Sequence, residues 1–108
     1  SRLLRRPSSV PHAAMVVKDE GGRRVGCLVL RVSPDETGRT AWVYLIFVER
    51  DRRRQGYGRR MLAWAEEWGR ANGAGHLMLN VRASNEVAMH LYESSGMSPY
   101  QMWMRKGL

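Results

Sequence analysis

Residues 45–62, LIFVERDRRRQGYGRRML, pass from an apolar run into a basic, glycine-punctuated turn and then into an amphipathic segment. A strand, a glycine-rich turn and a helix start, in that order, build an anion site out of backbone. The first N–H groups of a helix have no partner within it, and the aligned peptide dipoles favour negative charge in front of them. Gly56 and Gly58 permit positive φ and carry no Cβ to hold a phosphate at a distance. Arg50, Arg52, Arg53, Arg54, Arg59 and Arg60 gather round the same point. Few folds accommodate such a turn, so the rest of the chain is read outward from it.

Composition narrows the class. At 108 residues the chain can form one small domain with a core. Its longest apolar runs fall short of a membrane span, and no signal-peptide apolar region follows the N-terminus. Cys27 is the only cysteine, which excludes a disulfide within the chain and suggests a reducing, cytoplasmic setting. The net charge of +8 is almost wholly arginine, since Lys18 and Lys106 are the only lysines. Charge concentrated at a helix start suits a compact phosphorylated ligand better than a polymer groove, which makes nucleic acid the less favoured partner. The histidines, carboxylates and cysteine form no metal-ligand spacing, and no metal is expected.

Residues 1–13 read as a tail or linker with no period, and residues 14–108 as the domain. Strands are expected at 14–18, 24–32 and 40–49, separated by Asp19-Glu20-Gly21-Gly22 and by a turn holding Pro34 and Gly38. A helix is expected over 57–72, where Met61, Leu62, Ala65 and Trp68 make one apolar stripe ending at Asn72-Gly73. A strand at 76–82 follows. A second helix over 86–94 is capped by Ser84 or Asn85, has Val87, Ala88, Leu91 and Tyr92 as its apolar side, and stops at Gly96. Alternation in YQMWMR predicts a last strand at 100–105. The expected fold is α/β in the α+β sense. It is a mixed, mostly antiparallel sheet in the order β-β-β-α-β-α-β, with a parallel pair flanking the glycine turn.

The P-loop pattern and G-x-G-x-x-G are both absent, because Gly56-x-Gly58 is followed by Met61. The wider stretch VERDRRRQGYG, residues 48–58, resembles the V-x-P-x-x-R/Q-x-x-G-x-G/A signature of GNAT-type N-acetyltransferases. A second block, HLMLNVRASNEVAMHLYESSGM, is similar to that family's L-x-L-x-V-x-x-x-N-x-x-A-x-x-L-Y-x-x-x-G-F. Its matching positions are Leu77, Leu79, Val81, Asn85, Ala88, Leu91, Tyr92 and Gly96. The resemblance spans roughly residues 14–105.

It implies acetyl-CoA as co-substrate and an amine on a small molecule, protein or peptide as acceptor. The pyrophosphate would lie on the amides of Arg53, Arg54, Gln55, Gly56, Tyr57 and Gly58, with Arg59 beside them. The pantetheine arm would run along Ile46, Phe47 and Val48, an N–H near Val48 polarising the thioester carbonyl. Asn85 is carried over with the second block. Tyr92 matches the tyrosine that protonates the departing thiolate. An amine of lysine-like pKa must lose a proton before it attacks. Glu49, ending the strand beside the thioester, is the candidate base, with Glu86 and His90 behind it.

The chain departs from the family at Met97, where an aromatic is usual, and at Arg50, where proline is common. The family also opens with a strand and one or two helices before the first hairpin, which residues 1–14 do not supply. The expectation is a fragment, an excised domain, or a form that borrows its acceptor wall from a partner subunit. An edge exposed at residues 15–17 would then invite a homodimer. Two other functions stay open on sequence: a non-catalytic CoA-binding or regulatory module, and a basic nucleic-acid-binding domain.

Overall fold

A computed structural model describes residues 11–108. The chain order is β1 (His12–Lys18), β2 (Arg24–Asp35), β3 (Gly38–Val48), a single 3-10 turn (Arg50–Arg52), α1 (Tyr57–Ala71), β4 (His76–Leu79) and α2 (Glu86–Ser94). One sheet has the order β1-β2-β3-β4, antiparallel except for the parallel pair β3 and β4. The mixed sheet and its parallel pair follow the sequence expectation. The helix between β3 and β4 is the crossover that a parallel pair requires.

Alternation writes the core. Met15 and Val17 of β1, Leu28 and Leu30 of β2, and Leu77 and Leu79 of β4 gather about Met61 and Ala65 of α1. On β3 the inward set changes parity, from Val43 to Ile46 and Val48. The change comes from a bulge: Leu30 faces Val43 while Val29 faces Leu45, so Tyr44 is the extra residue. The stripe on α1 is the expected one, with Met61, Leu62 and Ala65 buried and Gly69 replacing Trp68 as its fully buried end. Gly69 has to be small, because a Cβ there would stand 3.0 Å from the Cβ of Ala41.

Three expectations are corrected. Residues 100–105 form no strand, since none of the described residues offers them a ladder, and an isolated strand leaves its backbone groups unpaired. Val87 is 75% exposed and α2 buries no residue completely, so its apolar side is narrower than its pattern. Third, β1 begins at His12, and Val32 N–H already donates to the Pro11 carbonyl at 2.9 Å. The remainder of the expected tail, residues 1–10, lies outside the described residues.

Candidate functional site: a glycine turn at the mouth of a parted strand pair

Strands β3 and β4 pair only from Thr40 with His76 to Val43 with Leu79. The bulge at Tyr44 then bends β3, and β4 ends at Leu79. Beyond that point residues 45–48 stay paired with β2 on one side, and β4 does not follow on the other. The result is a slot between parallel strands, open at their carboxyl ends, where ligands of open α/β sheets bind. Ile46 and Val48 are half-buried against the core, whereas Phe47 points out of the opposite face.

At the end of the slot the chain makes the 3-10 turn and then the glycine turn. Arg54 sits at φ 65° and Gly56 at φ 85°, both left-handed. Successive backbone N–H groups in such a mixed conformation form an anion-binding concavity. Gly56 is the N-cap of α1, and no side chain caps the helix. The Gly56 carbonyl accepts from Arg60 N–H at 3.1 Å, which closes the first helical turn. The N–H groups of Tyr57, Gly58 and Arg59 precede the first intrahelical bond and point out of the helix end. A Cβ added at Gly56 would meet nothing within 4 Å. Gly58 serves a different purpose: a Cβ there would approach Leu91 Cδ2 to 3.0 Å, so its absence lets α2 close on α1.

The arginines divide their work. Arg52 Nη2 is bound to Asp19 Oδ2, pinning the β1–β2 turn to the 3-10 turn. Asp19 Oδ1 also accepts from the N–H groups of Gly21 and Arg23, both at 2.9 Å. The Arg23 bond, then the Arg52 guanidinium, hold the Asp19 carboxyl below the usual range. Arg53 donates from Nε to the Val48 carbonyl at 2.9 Å and lies over the Phe47 ring at 5.5 Å. Arg59 reaches Ser94 Oγ at 2.9 Å, a link from α1 to α2, and Arg60 covers the Tyr57 ring at 4.7 Å. Gln55 Nε2 reaches the Asp51 carbonyl at 3.4 Å. The basic cluster is therefore mostly scaffold, and the donors left without a partner at the helix start are backbone N–H groups.

Glu49 stands at the start of the 3-10 turn. Its N–H donates to the Val25 carbonyl at 2.7 Å, and its Oε2 meets Arg24 Nε at 3.1 Å. The sequence did not reveal this pairing, because it depends on β2–β3 register. Asn85 caps α2, its Oδ1 accepting from Ala88 N–H at 3.2 Å. Tyr92 lies on α2 next to Leu91, and burial pushes its phenol up from the ordinary value of 10.0. Among the described residues no group of three or more His, Cys, Asp and Glu is arranged to hold a metal ion.

Residues 2–97 match the Acetyltransferase (GNAT) family. The chain belongs to that family. Among curated relatives, the uncharacterized N-acetyltransferase YdgE of Bacillus subtilis is 32% identical over 92 residues, covering 85% of this chain. That alignment covers 59% of YdgE, so this GNAT chain spans about three-fifths of that relative's length. Among solved structures, a putative acetyl transferase from Pyrococcus furiosus superposes with a TM-score of 0.80 at 27% identity, covering 99% of this chain and 73% of that one. The aminoglycoside N-acetyltransferase AAC(6')-Iy bound to CoA shares the fold at a TM-score of 0.75 and 16% identity, over 90% and 77% of the two chains. The GNAT assignment thus rests on sequence and fold together.

Proposed function

We propose that the protein transfers the acetyl group of acetyl-CoA directly to an amine. One observation carries this reading: the slot beside residues 45–48 leads to an uncapped helix start behind a left-handed glycine turn. That combination suits a ligand with a strand-like amide arm at one end and a pyrophosphate at the other. The pantetheine arm would run along Ile46, Phe47 and Val48 on the side away from β2, as an added strand does, beside the Val48 carbonyl that Arg53 Nε holds. The pyrophosphate would take the N–H groups of residues 54–58, with Arg53 and Arg59 bracing the turn. Acetyl-CoA supplies the activated thioester. Family membership and the CoA-bound neighbour support this choice of donor.

The residues then divide the proton work. Attack forms the N–C bond and breaks the C–S bond. The departing sulfur takes a proton from the Tyr92 hydroxyl, whose pKa burial raises, and the proton that the new amide nitrogen sheds restores the phenol. The acceptor ammonium must first give up a proton. Glu49 is our candidate to receive it, directly or through water, and an incoming ammonium would compete with Arg24 for the carboxylate. Asn85 acts in this reading by starting α2 where Tyr92 is brought toward α1. The acceptor is an amine on a small molecule or a peptide; a neighbour acting on aminoglycosides illustrates the class. Residues 14–108, with His12 and Ala13 added from β1, are the acetyl-CoA-binding domain. A cytoplasmic setting accords with acetyl-CoA and with the lone Cys27. Among the described residues no helix is long and apolar enough to cross a membrane. Self-association through an open sheet edge belongs to the same reading, β1 being one such edge.

Calorimetric titration with acetyl-CoA, followed by an amine panel read by thiol release, tests the proposal. Saturable binding and free CoA appearing with at least one amine are expected. No binding would end it. Binding with no thiol release across the panel would favour the non-catalytic CoA module instead.

A further inference from the structure

Arg52, Arg53 and Arg59 beside the glycine turn are tied to Asp19, Val48 and Ser94. Lys18 and Arg60 differ. Both are exposed, and among the described residues neither takes part in an ion pair. Arg60 lies over the Tyr57 ring at 4.7 Å, a contact with the ring that leaves its N–H donors uncommitted. Lys18 ends β1, at the turn that the Asp19–Arg52 pair pins to the 3-10 turn. With Asp19, Glu20, Gly21 and Tyr57, these two cations border a cavity of about 410 Å³ between the β1–β2 turn and α1.

The cavity adjoins the helix start. Tyr57 contributes one of the N–H groups that precede the first intrahelical bond of α1, and the same residue borders the cavity. The other flank of that start is filled by α2. Leu91 closes on Gly58 there, and Ser94 holds Arg59. The turn of the helix puts Arg59 and Arg60 on opposite sides of the buried stripe Met61, Leu62 and Ala65. A ligand seated at the helix start therefore has α2 on one flank and open room on the flank of Lys18 and Arg60. Charge favours an anion in that room. Arg52 cancels the charge of Asp19, whose carboxylate also accepts from Gly21 and Arg23 N–H groups. Glu20 offsets only one of the two remaining cations.

We propose that Lys18 and Arg60 form the site for the 3′-phosphate of coenzyme A, and that through it the protein selects CoA thioesters over thioesters that lack this group. The inference rests on the acetyl-CoA reading above and adds two residues that the reading leaves unused. The fit is chemical. One ribose away from its pyrophosphate, CoA carries a phosphomonoester of about −1.5 to −2 charge at pH 7, with three strong acceptor oxygens. A guanidinium and an ammonium together suit such a group. Arg presents a planar fork of donors, and Lys a compact charge on a flexible stem. A pyrophosphate on the N–H groups of residues 54–58 would bring the ribose beside Tyr57, the residue that the cradle and the cavity share. The scaffold arginines hold the cradle in shape, and these two cations read the far end of the ligand.

Calorimetric titration with acetyl-CoA and with acetyl-dephospho-CoA, which lacks only the 3′-phosphate, tests the assignment. The protein should bind acetyl-CoA about tenfold more tightly, the advantage of a charge-assisted phosphate contact. Added salt should shrink the difference, because both cations are exposed. Lys18→Met with Arg60→Met should bind the two ligands alike, at the affinity that the unaltered protein shows for acetyl-dephospho-CoA. That retained affinity also reports a folded variant, which separates loss of the phosphate site from loss of structure. Equal affinities in the unaltered protein, or a preference that the double variant keeps, would overturn the proposal and leave acetyl transfer standing. If neither ligand binds, the acetyl-CoA reading falls and this inference with it.

Discussion

Gly56 and Tyr92 carry the sharpest residue-level consequences. At φ 85° Gly56 holds a conformation that side chains with a Cβ adopt at a cost, and a Cβ there would point into open space. Gly56→Glu should abolish acetyl-CoA binding, measured by calorimetry, while the α1 stripe keeps the protein folded. Tyr92→Phe removes the hydroxyl and keeps the ring. Acetyl-CoA affinity should hold and kcat should fall on the order of 10²-fold, the lower range for a lost general acid, measured by thiol release at saturating substrate. Unchanged kcat would remove Tyr92 from the chemistry. The pH dependence has a definite sign. Burial raises the Tyr92 pKa above 10.0, so the proton donor is intact across the neutral range. The limb of kcat that depends on this hydroxyl should therefore descend only above about pH 10, and Tyr92→Phe should lack it.

Between elements, the informative link is Asp19 with Arg52. It ties the β1–β2 turn to the 3-10 turn that feeds the glycine turn. Asp19→Ala should raise the KM for acetyl-CoA several-fold and change kcat less, measured by initial rates, because it loosens the cradle without touching the reacting atoms. The folded carboxyl has a depressed pKa, so its stabilising contribution is present above about pH 3.8 and disappears as pH falls through the lower folded value. At neutral pH the turn is therefore held. The bulge at Tyr44 is the other device at this scale, since it parts β3 from β4 and opens the slot. Neither feature is legible in the sequence. Asp19 reads as an ordinary turn residue, and the side on which Arg52 emerges depends on a turn with no periodic pattern.

Across the whole molecule, stability rests on one compact seam. Leu28 and Leu30 at the centre of β2 meet Val43, Met61 and Ala65. Leu28→Ala, at a side chain 1% exposed, should cost about 2–5 kcal/mol in urea unfolding, whereas Val87→Ala on the exposed side of α2 should cost well under 1 kcal/mol. Much of this was readable in advance. The stripe at Met61, Leu62 and Ala65, the alternation on β2, the helix stop at Gly73 and a cap at Ser84 or Asn85 are local patterns that report backbone period and termini, and Asn85 proved to be the cap. The strand–glycine turn–helix order was equally local, and it named the anion cradle. What failed was the strand at 100–105 and the inclusion of Val87 in the apolar side of α2. Alternation shows that a segment can form a strand, but a strand exists only with a neighbour, and neighbours are fixed by tertiary placement. The arginine cluster teaches the same lesson: sequence counted its charges, and only packing turned Arg52 toward Asp19, Arg53 toward Val48 and Arg59 toward Ser94. The sequence by itself determined the elements and the glycine turn, because these depend on backbone conformation over a few residues. Tertiary structure alone decided which charges are tied into the scaffold and how the strands part, because each of these depends on residues brought together from distant parts of the chain.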